Sequence, residues 1–259
     1  MKILLAGDSW GIGVFSGKGE TYKPIGQGIH TILADLGHSV INISKPGCAN
    51  WLLIDRLENR WDDTGTCLFG VDPADKKEFN LKNIDHIIFL QTDIFRERHY
   101  FDTEYPGDPK GYRKLLEKKF VDELLDYRTL NEFINKYFND FYTKLNSIGQ
   151  TYNKKILCAG GWGQLHPNIN QYNNLIPVIP SITKLLIPNL LEDCYISDPE
   201  WITQLSDNSK IMKKFPVEFK KLAIDNANKL NIIWRYWNDC HPKIEGYRQV
   251  VDKFLPYLV

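Results

Sequence analysis

Short runs of consecutive apolar residues alternate along this chain with longer stretches in which apolar residues recur every three or four positions. The runs are residues 3–6, 40–43, 86–90, 156–159 and 231–234, rich in Ile, Leu and Val and bounded by Gly or polar residues. Runs this short, without alternation, predict strands buried on both faces of a parallel sheet. The periodic stretches predict helices. Over 24–36, Ile25, Ile29, Ile32, Leu33 and Leu36 form one stripe, and over 130–148 Leu130, Phe133, Ile134, Tyr137, Phe138, Phe141, Tyr142, Leu145 and Ile148 form the longest. A third helix is expected over 216–230, with Pro216 in the first turn, where a missing N–H costs nothing. The last, over 243–258, carries Ile244, Tyr247, Val250, Val251, Phe254 and Leu255.

Strand and helix in alternation predict an α/β fold, a three-layer α/β/α sandwich around a five-stranded parallel, flavodoxin-like sheet. Right-handed crossovers then bring every strand's C-terminal end to one edge, where ligands bind in such sheets. Residues at about 61–82, 97–111 and 160–210 exceed what that core needs and read as loop insertions in a single domain, 1–259. No internal repeat is present.

Composition narrows the function classes. Apolar residues are 43% of the 259, enough for a sizeable core, and Lys plus Arg balance Asp plus Glu at 32 each. Nothing in that balance calls for nucleic acid or an anionic membrane surface. No apolar run approaches the roughly 18 residues of a membrane-spanning helix, and the N-terminal apolar stretch is too short for a signal peptide. The expectation is a cytoplasmic protein with no membrane partner. Cys48, Cys67, Cys158, Cys194 and Cys240 are odd in number and widely spaced, which suggests free thiols rather than disulfides or a zinc site.

Two motifs carry candidate chemistry. Gly7-Asp8-Ser9-Trp10 directly follows the first predicted strand. A serine there, on a turn at the mouth of a parallel sheet, is placed to act as an exposed nucleophile, and its own N–H can point into the site. The plainer reading is a turn capped by Asp8 or Ser9. Asn238-Asp239-Cys240-His241-Pro242 precedes the final helix. A catalytic serine needs a base, and the base needs an acceptor that holds its tautomer. His241 with Asp239 could supply both; alternatively the segment is a polar turn that caps the helix.

Gly-Asp-Ser in the first loop, with His-Pro before a C-terminal helix, resembles the SGNH (GDSL-type) hydrolases. Two further blocks extend the resemblance over nearly the whole chain. The segment from Asn42 to Asn50, Asn-Ile-Ser-Lys-Pro-Gly-Cys-Ala-Asn, is similar to the family's second block, whose Gly donates a backbone N–H to the oxyanion; Gly47 holds that position. The third block, Gly-x-Asn-Asp after the third strand, corresponds to Gln91-Thr92-Asp93-Ile94, with Gln91 replacing the Gly and Asp93 replacing the oxyanion-binding Asn. An ionised Asp93 would repel an oxyanion, whereas a protonated Asp93 or the Gln91 amide could donate to it. The family's acid lies three residues before its His; that place is Asn238 here, and Asp239 lies two before. Both remain open as the partner of His241.

The resemblance implies a serine esterase or deacylase that acts on a small ester, with O-acetyl groups on carbohydrate as a plausible substrate. Ser9, His241 and Asp239 form its triad, the N–H groups of Ser9 and Gly47 its oxyanion hole with Gln91 or Asp93, and no cofactor or metal is required. Trp10, Asn50, Trp51 and Trp162 are candidate substrate-binding residues, since aromatic faces at this edge suit sugar rings or acyl groups. The same rings could instead fill gaps between loops. Alternatives are an acyltransferase with the same triad and an impaired glycan-binding or structural module on the same fold. A nucleotide-binding role is disfavoured, because the first loop lacks a Gly-rich phosphate cradle. The oligomeric state is not legible in the sequence.

Overall fold

The computed structural model describes residues 1–16, 23–24, 26–45, 48–59, 79–92, 127–161, 164–186, 237–238, 241–242 and 244–258; at 15–16, 23–24, 127–134, 183, 237–238 and 241 the backbone alone is described. Five parallel strands form one sheet: β1 (Lys2–Ala6), β4 (Ser39–Asn42), β5 (His86–Gln91), β6 (Ile156–Gly160) and β7 (Leu175–Ile179), in the order β4-β1-β5-β6-β7. The register pairs Leu5 with Asn42, Ala6 with Phe89 and Gln91 with Gly160, so these strands reach a common edge at their C-terminal ends. Every residue of β1 after Lys2, of β5 after His86 and of β6 is buried. Both faces of these central strands are therefore covered, as their unbroken apolar runs require.

In chain order the sheet reads 2-1-3-4-5, so the chain winds away from β1 in opposite directions. The crevice between the ends of β1 and β5 is the switch point at which such sheets take ligands. Between the strands lie α1 (Ser9–Ile12), α2 (Ile29–Asp35), α3 (Asn50–Leu57), α4 (Tyr127–Tyr152), α5 (Ile182–Leu186) and α6 (Ile244–Phe254). The helices α2 and α6 pack against each other, as do α3 and α4. On α4, the stripe read from the sequence buries Tyr137, Phe138, Phe141, Tyr142, Leu145 and Ile148. On α6 the buried residues are Tyr247, Val250, Val251 and Phe254. Lys144 of α4 also meets Glu58 beside α3 at 2.6 Å, a half-solvated ion pair worth about 0–1 kcal/mol.

Several boundaries differ from the sequence reading. The fifth strand of the sheet is Leu-Ile-Pro-Val-Ile at 175–179, inside the stretch expected to be a loop insertion. Pro177 disguises it, yet among the described residues β7 is an edge strand, where a residue without an N–H is tolerated. The strand expected at 231–234 and the helix at 216–230 lie outside the described residues. The helix expected from 24 begins only at Ile29. Pro24 instead pairs with Phe15 in a short antiparallel ladder, β2 (Phe15–Ser16) with β3 (Lys23–Pro24). The Thr31 hydroxyl then closes the first turn of α2, accepting from the Gly28 N–H at 2.8 Å and donating to the Gly28 carbonyl at 2.9 Å. Other elements not predicted are the short helices α1, α3 and α5, and the hairpin of β8 (Trp237–Asn238) with β9 (His241–Pro242).

Candidate active site

The loop after β1 turns at once into α1. Asp8 caps that helix: its Oδ1 accepts the Trp10 N–H at 2.9 Å, and its carbonyl accepts the Gly11 N–H at 3.0 Å. The plainer reading of the motif is therefore seen directly: Asp8 is the cap, and Ser9 occupies the first helical position. There the Ser9 N–H has no acceptor within the helix, as for any first-turn amide. Ser9 is 7% exposed, and its hydroxyl makes no hydrogen bond among the described residues. Gly13 ends the helix at φ 116°, a conformation that side chains avoid. A Cβ there would also strike the Gln27 carbonyl, so the exit from α1 requires glycine.

Two neighbouring loops hold this turn from opposite sides. From β4, Asn42 Nδ2 donates to the Gly11 carbonyl at 2.8 Å, and Asn42 Oδ1 accepts the Ser44 N–H at 3.0 Å. The Lys45 N–H donates to the Gly7 carbonyl at 3.0 Å. Arg56, buried on α3, donates from Nη1 to the Ile43 carbonyl at 2.8 Å and secures the base of the same loop. From β5, Thr92 Oγ1 donates to Asp8 Oδ2 at 3.0 Å across the switch point. Thr92 is itself clasped by Asn50: its N–H donates to Asn50 Oδ1 at 2.8 Å, and its carbonyl accepts from Asn50 Nδ2 at 3.0 Å.

His241 approaches from the far end of the chain. The β9 strand packs against α1, so the backbone of His241–Pro242 and the Ser9–Ile12 turn are neighbours on the same edge of the sheet. In the β8–β9 ladder Asn238 is the partner of His241. The His241 side chain, Asp239, Gly47, Asp93 and Trp162 lie outside the described residues.

The remaining candidates are placed as follows. Trp10 has no exposed surface and belongs to the core, so it offers no ring face to a substrate. Asn50 is equally buried, with its amide committed to Thr92 and, at 3.0 Å, to the Tyr137 hydroxyl. The Gln91 amide is engaged at both ends: its Oε1 accepts from the Tyr142 hydroxyl at 2.6 Å, and its Nε2 donates to the Gln164 carbonyl at 3.3 Å. Held this way, the amide ties the end of β5 to the fourth loop. Trp51 is half-buried, edge-on to Phe141 at 6.1 Å between centroids.

Thr92 and Asn42 stand in the third and second blocks, but the sequence assigned neither a part in the site, because their partners, Asp8, Asn50 and Gly11, are distant in the chain. Close by, His166 is stacked on Phe138 at 4.9 Å, and burial pushes its imidazole down to about 4. Burial likewise raises the Cys158 thiol well above its ordinary range, which leaves it inert. Cys158 is a free thiol. Among the described residues no group of three or more His, Cys, Asp and Glu converges, and no helix is long and apolar enough to cross a membrane.

Compared with known proteins, the chain matches no protein-family model and no curated protein. Among solved structures it is similar to a mutant of the esterase AlinE4, with 16% identity and a TM-score of 0.32 over 83% of this chain and 97% of that one. Neither value is high enough to bear on fold or activity.

Proposed function

We propose that the chain is a serine esterase or deacylase of the SGNH type, a three-layer sandwich whose site lies at the β1/β5 switch point. The observation that carries this reading is the meeting of two distant segments. The helix α1, which opens at Ser9 directly after the first strand, is packed against by β9, His241–Pro242, although more than two hundred residues separate them in the chain. In this reading Ser9 Oγ attacks the carbonyl of a small ester, and His241 takes its proton. The Ser9 N–H, unclaimed within α1, and the Gly47 N–H stabilise the oxyanion. His241 then returns the proton to the leaving alkoxide, and water activated by the same imidazole releases the acid. Asp239 orients the imidazole, and Trp51 and Trp162 border the substrate. An O-acetylated carbohydrate is the substrate class that these aromatics suit.

The commitment of Gln91 to Tyr142 and Gln164 favours a site with fewer oxyanion donors than its apparent family, and so a modest rate. The deciding experiment is labelling with a fluorophosphonate. The wild type is expected to gain one adduct on Ser9 and to hydrolyse p-nitrophenyl acetate. Ser9→Ala should lose both while Tm stays within a few degrees, because the hydroxyl makes no hydrogen bond among the described residues. Turnover that survives in Ser9→Ala would remove Ser9 from the mechanism.

A further inference from the structure

We infer that Thr92, clasped by Asn50, is a positioning residue that sets the nucleophile turn through Asp8. The inference rests on the esterase reading for its catalytic meaning and on a chain of buried hydrogen bonds for its geometry. That chain begins at the Tyr137 hydroxyl on α4, which accepts from Asn50 Nδ2 at 3.0 Å. Asn50, the first residue of α3, presents its amide to the backbone of Thr92 as a neighbouring strand would, with one bond to the N–H and one to the carbonyl. This fixes the residue just beyond the end of β5. The Thr92 hydroxyl thereby falls on Asp8 Oδ2 at 3.0 Å, while Asp8 Oδ1 holds the Trp10 N–H at 2.9 Å.

Asp8 is 3% exposed, so its two oxygens depend on protein donors for what water would supply at a surface. The carboxylate has a rotatable bond, and a donor on each oxygen restrains its plane. With Oδ2 held by Thr92 and Oδ1 on the Trp10 amide, these bonds help to set the first turn of α1, where Ser9 sits. In this assignment Thr92 acts on the nucleophile through Asp8 rather than on the substrate. Its loss should therefore affect the reacting geometry far more than binding.

The test compares Thr92→Val, which keeps the shape and deletes the donor, with Thr92→Ser, which keeps the donor. Thr92→Ala deletes the donor without adding volume, should the Val variant not fold. The first readout is the rate of fluorophosphonate labelling together with kcat and KM for p-nitrophenyl acetate. The second is amide hydrogen exchange at Trp10, followed by NMR, which needs no activity. Deleting the donor should lower labelling and kcat by about tenfold to a hundredfold with KM within about threefold, and should speed exchange at Trp10. Thr92→Ser should restore both. Unchanged labelling and unchanged Trp10 exchange in Val and Ala variants would overturn the positioning role and leave the esterase reading standing. If the wild type is neither labelled nor active, the esterase reading fails on its own. Exchange at Trp10 then decides the remaining structural claim, with faster exchange supporting the latch and unchanged exchange overturning it.

Discussion

Under the proposed esterase reading, His241 needs a partner that holds one tautomer and balances the charge of the imidazolium, and two adjacent residues compete for that task. Asp239 carries the charge; Asn238 has the backbone register, since it stands opposite His241 in the β8–β9 ladder. An amide can orient an imidazole but cannot offset its charge. Asp239→Asn is therefore expected to lower kcat by about 10³ to 10⁴, the loss that follows removal of a triad carboxylate. A drop below about tenfold would transfer the role to Asn238, and Asn238→Asp would then raise kcat by supplying the missing charge. Steady-state kinetics on the two single variants separates these outcomes. Two of the candidate substrate contacts are fully buried in the protein. Trp10 fills the core, and Asn50 splints the end of a strand.

Among the elements, α1 is the least autonomous. Four residues are far too few to form a helix unaided, because nucleation alone outweighs what one turn returns. Its existence depends on the Asp8 cap, on Asn42 gripping the Gly11 carbonyl, and on close seating against the loop after β4. The seating is tight at Gly11, where a Cβ would strike the Ser44 hydroxyl and stand 2.8 Å from the Ser44 Cβ. Gly11→Ala should destabilise the protein by about 1–3 kcal/mol, the usual cost of overpacking. Ser44→Gly in the same chain should recover part of that loss, because both clashing atoms are removed. Equal destabilisation in the single and double variants by urea unfolding would show that the strain lies elsewhere.

At the scale of the whole molecule, the sheet delivers four loop ends to one edge, and the buried polar groups behind that edge make stability depend on pH. His166 follows β6 and is held neutral, its pKa lowered from 6.5 to about 4 by burial. Between those values the unfolded chain binds more protons than the folded one, so stability falls as pH drops from about 6.5 towards 4. A shift of that size has a limit of about 3 kcal/mol, of which about 2 kcal/mol is lost by pH 5. His166→Phe keeps the stack on Phe138 and removes the titration. Its loss of stability from pH 7.5 to 5 should be smaller than that of the wild type by this amount, as read from urea midpoints. Parallel losses in both proteins would assign the acid sensitivity to other groups.

Four of the sheet strands and the two long amphipathic helices, α4 and α6, were legible in the sequence. A strand buried on both faces must be apolar throughout, and a helix with one buried face must repeat every three to four residues, so burial writes itself into the residue order. The two ends of the candidate site, Ser9 and His241, were legible for a related reason: each stands in a short motif at the end of a periodic element. The edge strand with Pro177 was not, because its tolerance for proline depends on having a neighbour on one side only, which is a property of the sheet. Nor were the roles of Thr92, Asn50 and Asn42, whose hydrogen bonds join residues 31 to 84 positions apart. Local sequence determined which segments became strands and helices and which turns held a serine or a histidine. Only the tertiary structure decided which buried polar atoms met, because every such atom has to find a partner within about 3 Å and that partner is chosen by the packing of distant elements.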